Sequence, residues 1–97
     1  MNYRFLTPAL EEIREAAEFY EDRVGGLGAD FLDEVDAAMD RIMKFPEAWG
    51  NLGGRYRRCN LRRFPYSVIY SMQTDQEVVI VSVFHQSRNP RSWRENL

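Results

Sequence analysis

A run of seven mostly apolar residues, Val-Val-Ile-Val-Ser-Val-Phe at positions 78–84, constrains the fold more than any other segment. Five of the seven are β-branched, which favours a strand over a helix. Side chains alternate between the two faces of a strand, so both faces of this one carry apolar groups. We therefore predict a central strand over Glu77–His85, buried on both faces.

Two amphipathic helical patterns precede this strand. Thr7 followed by Pro8 predicts a helix start with Thr7 as the N-cap. The first helix carries apolar residues at spacings of three and four: Leu10, Ile13, Ala17, Tyr20 and Val24. A second helix, from about Gly28 to Phe45, has the same spacing at Phe31, Val35, Ala38 and Ile42. Pro46 ends it, and the short glycine-containing link between the two helices predicts an antiparallel hairpin.

The other segments predict a small sheet around the central strand. Three further strands are predicted: Tyr3–Thr7, Tyr56–Phe64 and Ser67–Met72. A hairpin turn is expected at Thr74-Asp75-Gln76, a loop held by Trp49 at residues 46–55, and a helical turn in the tail near Trp93. The prediction is a single α+β domain over residues 1–97. It has an N-terminal strand and an antiparallel helical hairpin packed on a small, mostly antiparallel sheet, with a short C-terminal tail.

Charge is distributed unequally between the two halves of the chain. Residues 1–50 carry 5 basic and 12 acidic side chains, whereas residues 51–97 carry 8 basic and 3 acidic ones. We therefore expect a basic working face in the second half. The acidic first half would repel a polyanion, so contact with a nucleic acid would be confined to one side.

The composition also limits the classes of site. Cys59 is the only cysteine and His85 the only histidine, too few ligands for a zinc site, so we expect neither a metal nor a cofactor. A single cysteine cannot form an internal disulfide, which fits a reducing cytoplasm. No apolar run approaches the roughly 20 residues that span a membrane, and no secretory signal is evident. We expect a cytoplasmic protein.

A cluster of arginines is the first candidate site. Its members lie close together in the second half: Arg55, Arg57, Arg58, Arg62 and Arg63. If Cys59 and Leu61 face the helices, alternation places Arg58 and Arg62, with Asn60, on the open face of the sheet. Guanidinium groups there suit phosphate or carboxylate recognition. The alternatives are a charged edge strand that resists aggregation, or pairing with helix acids.

His85 and Arg88 form the second candidate site, at the end of the central strand. The imidazole could act as a general acid or base, and the guanidinium could stabilise a phosphoryl charge. The alternative is a histidine whose hydrogen bonds are satisfied locally and which has no chemical role.

Two segments of the second half resemble motifs of a known family. Residues 62–70, Arg-Arg-Phe-Pro-Tyr-Ser-Val-Ile-Tyr, resemble the R-F-P-Y-x-V-x-Y segment of plasmid-stabilisation-type toxins. Residues 83–93, Val-Phe-His-Gln-Ser-Arg-Asn-Pro-Arg-Ser-Trp, resemble their H-x-x-R-x-P-x-x-W ending. Over nearly its whole length the chain is similar to the ParE/RelE superfamily of type II toxin–antitoxin systems.

The resemblance implies a growth-inhibiting toxin that is neutralised by a cognate antitoxin. ParE-like members poison DNA gyrase, whereas RelE-like members are metal-independent endoribonucleases that cleave mRNA on the ribosome. A RelE-like site would consist of Arg58, Arg62, His85 and Arg88. Asn60 and Ser67 stand where that class has basic residues, and no tyrosine follows Tyr70. These departures favour a ParE-like toxin that acts by binding its target rather than as an enzyme, with a metal-independent endoribonuclease as the alternative.

Two alternatives to the ParE-like interpretation stay open. One is the RelE-like ribonuclease, whose partners would be the ribosome and mRNA. The other is an inactive homologue that only binds its antitoxin. In none of the three do we expect the toxin to bind a specific DNA sequence directly or to bind a membrane.

Overall fold

The computed structural model describes residues 2–74 and 76–97, and they form an α+β structure. Its two helices are α1 (Thr7–Arg23) and α2 (Leu27–Lys44). Its five strands are β1 (Asn2–Phe5), β2 (Gly50–Gly53), β3 (Tyr56–Asn60), β4 (Tyr66–Thr74) and β5 (Glu77–His85). A 3₁₀ helix follows at Ser92–Asn96, where the helical turn was expected. In the predicted hairpin turn, Asp75 lies outside the described residues.

The five strands form one sheet in the order β1-β5-β4-β3-β2. β1 runs parallel to β5, and the other neighbouring pairs are antiparallel. The predicted interior strand is confirmed, because β5 pairs on both sides and all of Val78–Phe84 is buried. β4 occupies the middle position of the sheet.

The helical hairpin covers one face of the sheet, as predicted. The predicted apolar stripe of α2 is confirmed by the burial of Phe31, Val35, Ala38 and Ile42. The helices approach closely at Gly28, where an added Cβ would lie 2.6 Å from the Ala17 carbonyl oxygen. Any larger residue at this position would push α2 away from α1.

The buried stripe of α1 differs from the predicted one. Ala9, Ile13 and Ala16 are its buried residues, whereas Leu10 and Val24 are 51% and 59% exposed. The stripe is rotated because α1 packs against β5 as well as against α2. The small side chains of Ala9 and Ala16 let the helix approach both neighbours.

The second face of the sheet is not open, contrary to the expectation. The 3₁₀ helix places Trp93, which is 3% exposed, in a cluster with Ile69, Val81 and Phe84. This cover is needed because β5 carries large apolar side chains on that face too, and exposing them to water would be unfavourable. The tail therefore covers the second face of the sheet, as the helical hairpin covers the first.

Several predicted element boundaries were wrong. β3 ends at Asn60 instead of reaching Phe64, and β2 forms inside the segment predicted as a loop. At the start of α1, Leu6 occupies the N-cap position instead of Thr7, and no side chain caps the helix. Leu6 has extended geometry because its N–H donates to the Ile80 carbonyl, which prolongs the line of β1 up to the helix. Neither α1 nor α2 is long and apolar enough to cross a membrane.

Candidate functional site

Arg58 lies on β3, in register with Ile69 of β4. Ile69 belongs to the cluster under the 3₁₀ helix, so Arg58 points to that second face of the sheet. Tyr56, two residues earlier and on the same face, packs on Trp93 with ring centroids 5.0 Å apart. Arg58 is exposed, and within residues 2–74 and 76–97 its guanidinium forms no hydrogen bond or ion pair. Arg58 therefore lies on the face opposite the helical hairpin, where the strand alternation placed it.

Arg62 does not share the face of Arg58, so its predicted placement on the strand was wrong. It lies beyond the end of β3, where the backbone N–H groups of Arg62 and Arg63 both donate to Glu34 Oε1, at 3.1 and 2.9 Å. This carboxylate from α2 turns the chain away from the sheet. A sequence pattern cannot reveal such a contact, because Glu34 lies 28 residues before Arg62.

The remaining three arginines are held by different neighbours. Arg55 donates to Gln73 Oε1 at 2.8 Å, and Arg57 donates to the Trp49 carbonyl at 2.9 Å. Arg63 pairs with Asp30 of α2 at 3.8 Å. Of the five arginines, this is the one ion pair with a helix acid among the described residues. The cluster is therefore dispersed rather than neutralised by the helices.

Cys59 and Leu61 are buried beneath the helices, as predicted. Burial raises the pKa of the Cys59 thiol, although Arg41 and Arg62 lower it in part. The thiol consequently stays protonated near pH 7, and a protonated thiol is a poor nucleophile.

His85 and Arg88 share one groove between α1 and the end of β5. The groove has a volume of about 200 Å³, and its lining includes Ala16, Phe19 and Tyr66. Its rim carries two acids of α1, Glu12 and Glu15.

Local contacts orient the imidazole of His85 in this groove. Its Nδ1 accepts the Ser87 N–H at 3.0 Å and lies 2.8 Å from Ser87 Oγ. In the neutral ring the proton is then on Nε2. The ring also packs edge-on against Tyr66, with centroids 5.1 Å apart. Burial, with a contribution from Tyr20, raises the pKa of Tyr66 while Arg88 lowers it, so its phenol stays a neutral donor.

The most connected polar residue of the groove is Glu12, which sequence reasoning missed. Its Oε1 accepts hydrogen bonds from Ser82 Oγ at 2.9 Å, from the Val83 N–H at 3.1 Å and from Asn96 Nδ2 at 3.1 Å. Its Oε2 lies 3.7 Å from Nη1 of Arg88. One carboxylate thus joins α1, β5, the 3₁₀ helix and the candidate arginine. The lone serine in the apolar run was the only sequence signal of this site.

The four predicted site residues do not converge on one point. His85 packs on Tyr66, which contacts Phe31 on the helix side of the sheet, whereas Arg58 lies on the other side. Arg62 lies at the turn after β3. The structure therefore brings together only His85 and Arg88. The described part of the chain holds no group of three or more side chains able to bind a metal ion.

One family model matches this chain, and one solved structure is similar to it in fold. The family described as "ParE toxin of type II toxin-antitoxin system, parDE" matches residues 3–90. Among solved structures, a chain of the chromosomal ParDE TA system from P. aeruginosa is similar, with a TM-score of 0.64 and 14% sequence identity. The similarity covers 88% of this chain and 95% of that one. No curated protein sequence matches this chain.

Proposed function

Since this chain belongs to the ParE toxin family of type II toxin–antitoxin systems, we propose that it inhibits growth by binding a cellular protein and is neutralised by a cognate antitoxin. Family inference makes DNA gyrase the target. The toxin acts in the cytoplasm, where its buried free thiol at Cys59 stays reduced.

The observation that carries the proposal is the family match over residues 3–90. The dispersal of the candidate residues supports binding over catalysis. Phosphodiester cleavage needs an acid, a base and a charge stabiliser around one phosphate. Here Arg58 and His85 lie on opposite sides of the sheet, and Arg62 lies at a turn.

Expression of the chain in bacteria tests this proposal. We expect growth arrest with chromosome breakage and a DNA-damage response, and we expect purified toxin to block supercoiling by purified gyrase. Co-expression of the product of the reading frame next to the toxin gene should restore growth. Normal growth at high expression would support the inactive alternative and contradict both toxic activities.

A second candidate function, RelE-like mRNA cleavage, is favoured by one observation. His85 and Arg88 line the same groove, and Tyr66 is beside them as a neutral hydroxyl donor. His85 could exchange a proton through Nε2 while Arg88 faces a phosphate.

Replacing His85 by Ala separates the two functions. If the toxin binds gyrase without using the imidazole, we expect His85→Ala to keep growth inhibition within about twofold, and translation to continue. RNA cleavage would be supported if His85→Ala weakened growth inhibition by tenfold or more and if cells that express the unmodified toxin rapidly stopped translation. Circular dichroism checks that the variant is folded.

A further inference from the structure

Acidic and basic side chains lie on opposite sides of the molecule. The helices α1 and α2, which cover the first face of the sheet, together carry 11 acidic and 4 basic residues. The tail after the sheet, residues 86–97, carries three arginines and one acid. Its 3₁₀ helix covers the second face of the sheet, where Arg58 also lies. A polyanion can therefore approach the molecule from the side opposite the hairpin.

Three arginines of this side lie around the anchoring tryptophan, and we call them the arginine patch. The guanidinium carbon of Arg94 lies 4.7 Å from the centre of the Trp93 ring. Tyr56 packs on the same ring, and Arg58 is two residues further along β3 on the same face. Arg91 precedes Arg94 by three residues. In a 3₁₀ helix such residues lie on the same side, about 6 Å apart along the axis.

Nearby acids leave the arginine patch with a net positive charge. All three of its arginines are exposed, and within residues 2–74 and 76–97 their guanidinium groups form no ion pair or hydrogen bond. Glu95 is the one acid of the 3₁₀ helix. Glu77 of β5 is paired with Arg4 of β1 at 3.5 Å. Three positive charges thus exceed the single negative charge of Glu95, and the patch attracts anions.

The acids of the helical hairpin do not cancel this attraction. The Cα positions extend 21 Å even along the shortest axis of the molecule. At an ionic strength of about 0.15 M the Debye length is about 8 Å, so charges on opposite sides are largely screened from each other. The hairpin acids repel a polyanion that approaches from their own side, which orients the protein with the arginine patch towards it.

The aromatic rings beside the patch are not available to stack on bases. Trp93 is 3% exposed and is covered by Arg94 and Tyr56. Binding of single-stranded nucleic acid relies on bases that stack on accessible aromatic rings. Guanidinium groups without such a ring suit the phosphate backbone of a duplex. The five-residue 3₁₀ helix packs on the sheet through Trp93, so it does not enter a groove to read bases.

We infer that the arginine patch binds the phosphate backbone of duplex DNA, independently of sequence. At the proposed target, the patch contacts the DNA that gyrase holds. This second part rests on the proposed function, whereas binding of DNA alone is measured without gyrase.

Three phosphate contacts imply a definite salt dependence. Each contact contributes about −0.9 to the slope of the logarithm of the binding constant against the logarithm of the salt concentration, so the slope should be about −2.7. Raising the salt from about 50 to about 200 mM should then weaken binding by about 40-fold.

Fluorescence anisotropy with the full-length toxin and a short labelled duplex of mixed sequence tests the patch. Arg58→Glu should weaken binding at low salt by about fivefold or more and make the salt slope shallower by about 1. Arg14→Glu is the matched control, because it changes the charge equally at an exposed position of α1, and it should alter binding by less than about twofold. Arg91→Ala is a second patch variant. Thermal unfolding checks that all variants are folded.

Three outcomes would overturn the inference about DNA. They are no binding at low salt, equal weakening by Arg58→Glu and Arg14→Glu, and tighter binding of single-stranded RNA of the same length. The last outcome would instead favour the RelE-like alternative. A toxin that blocks gyrase without binding the duplex would leave the proposed function intact.

Inhibition of supercoiling tests the role of the patch at gyrase. Arg58→Glu should require more toxin than Arg14→Glu for the same inhibition. Equal inhibition by the two variants would overturn this role. A toxin that binds the duplex through the patch, but neither blocks gyrase nor arrests growth, would contradict the proposed function and leave the binding of DNA intact.

Discussion

At the scale of single residues, the carboxylate of Glu12 accepts hydrogen bonds from the part of β5 that extends beyond its pairing with β1. β5 continues beyond the end of β1, and three donors there meet the same oxygen of Glu12: Ser82 Oγ, the Val83 N–H and Asn96 Nδ2. The side chain of Glu12 is 20% exposed, so water competes only weakly for these donors. A buried donor left without an acceptor costs more than the bond itself contributes.

We therefore predict that Glu12→Ala lowers the free energy of unfolding by about 2–3 kcal/mol, because it leaves three donors without their acceptor. Glu12→Gln keeps one carbonyl oxygen and should cost only about 1 kcal/mol. Glu11→Ala, at an exposed position one residue earlier on the same helix, is the control and should be close to neutral. Urea denaturation measures all three. An equal loss for Glu12→Ala and Glu11→Ala would contradict this role.

At the scale of elements, the 3₁₀ helix at Ser92–Asn96 acts as a cover for the second face of the sheet. Trp93 supplies its buried apolar contact with Val81 and Phe84, and Asn96 ties its end to β5 and to Glu12. The helix has only five residues, too few to be stable alone, so these contacts hold it in place.

Trp93→Ala should detach this cover. We expect a loss of about 3–5 kcal/mol in the free energy of unfolding, typical for truncation of a buried tryptophan. Hydrogen exchange should also accelerate at Val81–Phe84. Leu97→Ala is the matched control, since Leu97 is 62% exposed in the same tail. If Trp93→Ala were as stable as Leu97→Ala, the cover would contribute little to the fold.

At the scale of the whole molecule, Tyr70 links the middle of the sheet to the end of the helical hairpin. It is fully buried on β4, and its hydroxyl donates to the Pro46 carbonyl. Burial raises the pKa of Tyr70 to about 12, against opposition from Arg57. The folded state therefore holds this proton more tightly than the unfolded chain, whose tyrosine has a pKa of about 10.

The contribution of this group to stability is complete below pH 10 and is lost as the pH rises from 10 to 12. We predict that the free energy of unfolding falls by about 2 kcal/mol over this interval, in addition to effects of other groups. Tyr70→Phe should remove this component and cost about 1 kcal/mol at pH 7 through the lost hydrogen bond. Tyr3→Phe, at an exposed position, is the matched control for the loss of a tyrosine hydroxyl. Chemical denaturation across this pH range measures it.

Local patterns in the sequence were sufficient for most of the architecture. The spacing of the apolar residues in α2 indicates a helix with one buried face, and the continuous apolar run of β5 indicates a strand buried on both faces. These elements and their packing were therefore predictable. The short link between the helices implied the hairpin, and the two C-terminal motifs indicated the family that was later matched. Hydrophobic periodicity, the lengths of connecting segments and turn residues all depend on residues that are close together in the chain, so a single sequence reveals them.

The candidate site depended on contacts between distant parts of the chain. Glu34 turns the chain at Arg62, Glu12 occupies the edge of β5, and the 3₁₀ helix covers the face on which Arg58 lies. Each of these contacts joins groups that are tens of residues apart in the chain, so no local sequence pattern predicts it. By itself, the sequence determined the two helices, their hairpin and the buried strand β5, and it showed which half of the chain is basic. Only the tertiary structure decided which charged side chains meet, because hydrogen bonds and packing depend on distances in space.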